Sequence, residues 1–126
     1  MMPHPRLLLL SGLALTLPAV ASAMPVGEFL PRAERLKAKG PAAMFSSDLK
    51  PIMGEMKRVT TSYRADLARS KAKGETPRSC PPAGKMKLDP GDFLSALRSV
   101  PASQRGIDMT EAFHRYMATK FPCSSS

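Results

Sequence analysis

Few side chains in this 126-residue chain could do acid–base, nucleophilic or metal chemistry. The histidines are His4, inside an apolar N-terminal stretch, and His114. His114 sits in Phe113-His114-Arg115, and helical spacing predicts an exposed position between the Phe113 and Tyr116 faces. A general base must reach the proton it takes, and a nucleophile must sit beside its base. No neighbouring pattern supplies that nucleophile, so His114 reads as a surface histidine. Asp89 and Asp92 could pair as carboxylates for proton transfer. Their setting, Asp89-Pro90-Gly91-Asp92 before an apolar run, fits a helix start better, with Asp89 as cap and Pro90 as first helical residue. Metal ligation fails on count, because beyond the N-terminal stretch one imidazole and two distant cysteines lack paired spacing. Gly84 and Gly91 are isolated and cradle no phosphate. The expectation is a non-enzymatic protein with no catalytic residue, metal or cofactor.

The two cysteines point to structure instead. Cys80 lies in Ser79-Cys80-Pro81-Pro82-Ala83-Gly84, a turn by composition, and Cys123 follows Phe121-Pro122. They are the only cysteines in the chain, and one disulfide between them is expected. It would tie the C-terminal segment to the loop after a long central helix. Chain-entropy arithmetic for a loop of that length gives roughly 4 kcal/mol as an upper figure.

The N-terminus reads as an export signal over residues 1–23. Arg6 supplies a positive start, Leu7 through Val20 an apolar run, and Ala21-Ser22-Ala23 a small-residue cleavage site. A membrane anchor is the competing reading. The run is short for a span, and Pro18 before Ala-x-Ala favours processing. Cleavage after Ala23 leaves residues 24–126 as a single helical domain, periplasmic or secreted, with no transmembrane segment. An oxidising compartment suits the disulfide. The formal net charge of +9 implies either a solvated basic surface or an acidic partner. Nucleic acid is not expected, because no Trp, aromatic-interleaved basic strand or known module is present.

An all-α fold is predicted, a small bundle of about four main helices with one disulfide. Val26, Phe29, Leu30, Ala33 and Leu36 line one helical face, stopped by Gly40-Pro41. Pro31 within it predicts a late start or a bent first turn. Residues 41–45 can form a turn or two, and Ser46, Ser47 and Asp48 offer cap oxygens. The longest stripe follows, through Leu49, Ile52, Met53, Met56, Val59, Tyr63 and Leu67 to Gly74. Gly54 either weakens this helix or marks close packing. After a Pro/Gly-rich loop, Phe93, Leu94, Leu97 and Val100 face the core from a third helix. The fourth begins at Asp108 with Glu111 three residues on, a capping-box pattern, and buries Ala112, Phe113, Tyr116, Met117 and Phe121. No strand or hairpin signal is present.

Met44, Met53, Met56, Met86, Met109 and Met117 suit either a core or an adaptable binding groove. Lys85, Met86 and Lys87 make a basic, partly apolar loop, the expected partner-binding surface.

The C-terminal half resembles the Rap/Tai family of immunity proteins of type VI secretion. The likeness rests on Cys80-Pro81-Pro82-Ala83-Gly84, the two apolar helices after it and the closing Phe121-Pro122-Cys123. The chain lacks the further cysteine pair and the Gly-Tyr-x-x-Gly patch usual there. The resemblance implies an exported inhibitor that covers the cleft of a secreted, amidase-like effector, often as a homodimer. The other reading is a periplasmic, chaperone-like binding protein that uses its basic, Met-containing surface.

Overall fold

The computed structural model describes Gly12 and residues 23–124, so the expected export signal lies almost wholly outside the described residues. Four α-helices form: α1 Val26–Lys39, α2 Leu49–Ala72, α3 Pro90–Arg98 and α4 Met109–Lys120. Two 3-10 turns, Gly40–Phe45 and Ala102–Gln104, join them. No strand forms among the described residues, only one isolated bridge between Pro25 and Asp108.

The helix ends follow local chemistry. Gly40 takes a positive φ of 53°, which glycine adopts without steric cost, and Pro41 prevents continuation. Asp89 Oδ1 accepts from the Gly91 amide at 2.8 Å, and Asp108 Oδ1 from the Glu111 amide at 2.9 Å. Other ends differ from expectation. Pro31 neither delays nor ends α1, which runs unbroken from Val26 with Pro31 exposed. Its first turn is held from outside, since the Val26 and Gly27 amides donate to the carbonyls of Ile107 and Arg105, both at 2.9 Å. Asp48 does not cap α2 with its side chain; that carboxylate accepts Arg35 instead, at 3.1 and 3.3 Å. The capping box is half formed, because the Glu111 carboxylate turns to Arg78 and Arg115. Val100 lies beyond the end of α3, half-buried.

The core is one cluster centred on α4. That helix buries Met109, Ala112, Phe113, His114, Tyr116 and Met117, and packs on α1, α2 and α3. Phe113 meets Tyr63 edge-on at 5.1 Å and Phe93 at 5.5 Å; Phe93 also meets Tyr116 at 5.1 Å. Each pair is worth roughly 0.5–1.5 kcal/mol beyond the area it buries. The expected contact between the third and fourth helices is present.

Cys80 and Cys123 are disulfide-bonded, with Cα atoms 4.9 Å apart. The Cys80 amide also donates to the Phe121 carbonyl at 2.8 Å. Next to it, Ser79 is fully buried, and its Oγ lies 2.6 Å from the Tyr63 hydroxyl. The staple therefore fixes the chain end to α2 as well as to its own loop. The methionines divide: Met109 and Met117 are fully buried, Met56 and Met86 flank the core, and Met44 and Met53 are exposed.

Candidate functional site

Among the concave regions around the core, two have opposite chemistry. The first is a polar cleft of about 380 Å³ between the second half of α2, residues 75–78 and the start of α4. Asp66, Ser70, Lys73, Arg78, Glu111 and His114 are among its lining residues. His114 corrects the sequence expectation. It is 4% exposed, not a surface residue, and its Nε2 lies 2.8 Å from Asp66 Oδ2. The ring packs against Tyr63 at 5.1 Å. The buried arc of α4 is wide enough to include His114, which faces Asp66 and Tyr63 of α2, while Arg115 and Thr119 keep the opposite side in solvent.

An Asp–His pair invites comparison with a catalytic dyad. In such a dyad one ring nitrogen faces the carboxylate and the other reaches the reacting group. Here Nε2 faces Asp66, while Nδ1 is buried and has no hydrogen-bond partner. A substrate in the cleft cannot reach that nitrogen. The hydrogen bond from His114 is the main reason the Asp66 carboxyl titrates below its ordinary range. Arg78 donates twice to Glu111, at 2.7 and 2.9 Å, and Arg115 adds a third bond at 3.2 Å. The Arg78 guanidinium chiefly holds Glu111 down at about 2. The charges of this cleft are largely matched to one another.

The second region is a groove of about 500 Å³ between α1, α2 and the start of α3. Phe29, Leu36, Ile52, Met56, Leu88 and Leu94 line it, with Lys37 and Asp89 also present. The 3-10 turn and the first turns of α2 carry the large exposed apolar residues of the described chain: Met44 at 78%, Phe45 at 92% and Met53 at 63%. Met53 was expected on the buried stripe. On a helix of 3.6 residues per turn it falls about 120° from Val59, away from the core.

Lys85 and Lys87 are exposed, as a contact loop requires, and Met86 is half-buried against the core. Met86 lines a small recess beside Tyr63 and Phe113. The loop is thus a methionine anchor between two free-standing lysines. Sequence reasoning left Met44 and Met53 between core and binding groove and did not single out Phe45, although Met44-Phe45 after a Gly-Pro stop was a readable sign of an apolar pair outside any long helix. Among the described residues, no three His, Cys, Asp or Glu side chains gather to hold a metal ion, and no helix is long and apolar enough to cross a membrane. No family model, curated protein or solved structure matches the chain.

Proposed function

We propose that this protein is exported, cleaved after Ala23, and acts by binding a partner protein without catalysis of its own. The immunity type is the form proposed: an inhibitor that covers the cleft of a secreted, amidase-like effector, as the Rap/Tai resemblance implies. The observation that carries the binding reading is the solvent exposure of Met44, Phe45 and Met53, in a molecule that also has an apolar groove between α1, α2 and α3. Exposed apolar side chains clustered in one stretch of a basic, charged chain fit a protein contact better than a solvated face. The sealed Nδ1 of His114 and the matched ion pairs around it support a non-catalytic role. The disulfide and the lack of a membrane-crossing helix among the described residues agree with an extracytoplasmic location. A chaperone-like binder is the second reading, favoured by the two exposed methionines, whose flexible side chains suit varied partners.

Photocrosslinking tests this. A crosslinking residue at position 45 or 87 of the processed protein should capture one secreted envelope hydrolase, and the purified pair should show inhibition. Phe45→Asp should weaken that complex by tenfold or more, about 1.4 kcal/mol, while stability stays within about 0.5 kcal/mol, as for most surface substitutions. Capture of many unrelated clients would favour the chaperone-like reading, and hydrolytic activity of the purified protein would remove both.

A further inference from the structure

Glu55 is the buried carboxylate of α2, 8% exposed. A carboxylate taken out of water is costly unless matched by charge and hydrogen bonds. Arg58 supplies one match, contacting Oε1 and donating to Oε2 through Nε at 3.1 Å. The other donor is the backbone nitrogen of Met24, 2.8 Å from Oε1. That nitrogen is held in place by its surroundings. The Met24 carbonyl accepts from the Met109 amide at 2.9 Å, and the next two amides of α1 are bonded to Ile107 and Arg105.

We infer that Glu55 is a binding site for the chain's own new amino terminus, the ammonium created when the leader is removed after Ala23. The inference rests on the cleavage proposed above. Before cleavage the Met24 nitrogen gives Glu55 one neutral amide hydrogen. After cleavage the same atom carries a positive charge and two more hydrogens, so the bond becomes a charge-assisted one, roughly twice as strong. Processing then completes the fold instead of only releasing it. The register is strict, because one extra residue moves the ammonium about 3.8 Å along the chain.

The carboxylate favours the charged amine and raises it above its ordinary value of about 7.7–8.0. The stabilisation is therefore fully present below that value and lost as pH rises through the folded one. The charged groups at this corner are Glu55 and Arg58 of α2, Glu28 and Arg32 of α1, and Arg105 and Asp108 ahead of α4. Ordinary carboxylates and guanidinium groups keep their charge between pH 7 and 9.5, so the amine is the group that titrates there.

The experiment compares melting temperatures from pH 6 to 10 for chains of defined start, released from a fusion and checked by mass. The helices and the core cluster lie within residues 24–124, so each chain retains the whole folded unit. The Met24-first chain should melt about 4 °C or more above its Nα-acetylated form at pH 7, with the gap closing towards pH 10. An Ala23-first chain and Met24-first Glu55→Gln should each lose the pH-dependent part. Equal melting of free and acetylated chains overturns the proposal. So does an Ala23-first chain as stable as the Met24-first one, or a Glu55→Gln variant that keeps the full pH dependence. Finding a different first residue in periplasmic material would sink the cleavage reading and with it the natural occupant of this site, whereas the melting comparison alone decides whether Glu55 holds an ammonium at position 24.

Discussion

The polar cleft at His114 and the apolar groove beneath α1 are of similar size and opposite state. In the cleft, Asp66 meets His114 and Glu111 meets two arginines, so the charges are directed at one another. In the groove, Phe29, Ile52, Met56 and Leu94 border open space. On the first 3-10 turn and α2, Met44, Phe45 and Met53 stand in solvent. A cluster of ionisable residues attracts attention first in a search for function. Here that cluster joins α2, α4 and the stapled loop through its own ion pairs, whereas the large exposed apolar residues of the described chain lie elsewhere.

The contrast breaks most readily at the staple. Replacing both Cys80 and Cys123 with Ser should lower stability by roughly 2–4 kcal/mol, read from thermal unfolding with and without reductant. Residues 78–80 should loosen, and with them the Arg78–Glu111 pair, while the α1–α2 groove keeps its lining. An unchanged melting curve would mean that the backbone bond from Cys80 to Phe121 and the Tyr63–Ser79 bond suffice alone. Next in size is His114→Ala, which empties a buried site and leaves Asp66 with Arg69 as its remaining partner. A loss of about 2 kcal/mol is expected, with partner affinity unchanged when measured on folded protein. Preserved stability with lost function would instead assign His114 a chemical role.

How much of this was legible follows from which contacts are local. The caps Asp89 and Asp108, the Gly40-Pro41 stop and the α1 stripe depend on neighbours within a turn, and they appear as the sequence implies. His114 was misplaced because its burial is decided by Asp66 and Tyr63, 48 or more residues away in sequence. A signal was available. On a wheel of 3.6 residues per turn, Glu55 and Asp66 fall within about 40° of Val59, on the face that Tyr63 also shares. Two acids towards the core side of the longest helix, Glu55 buried and Asp66 half-buried, call for polar partners, and Met24, Arg58 and His114 supply them. Met53 lies outside that face, which is why a methionine is exposed while a glutamate is covered.

Smaller changes sharpen the contrast. Gly54 is exposed, and a Cβ there would meet nothing within 4 Å, so the close-packing explanation for it fails. Gly54→Ala should therefore stabilise by about 0.5–1 kcal/mol, measured by chemical denaturation, without touching either region. The smallest effect concerns acid. Glu111 is held at about 2, below its ordinary 4.5, so its contribution is present above that ordinary value and is lost as pH falls towards 2. The pair is partly open to solvent, and its worth is under about 1 kcal/mol. Glu111→Gln should flatten the acid side of the stability profile between pH 5 and about 2 by that amount, as followed by circular dichroism.

The bonds from Met24, Val26 and Gly27 to residues 105–109 join the beginning of α1 to a segment made about 80 residues later. Loop-closure entropy rises by only about 0.6 kcal/mol for each doubling of length, so this arrangement costs little at equilibrium. Its consequence is one of timing. The first helix emerges early, yet neither its anchoring turn nor the α4 surface it packs on exists until residues 105–117 have followed. Contacts of such long sequence separation slow folding. The helical unit is thereby kept open until residues 105–117 are present, a delay that, under the export proposed above, would let the chain cross a membrane before it closes.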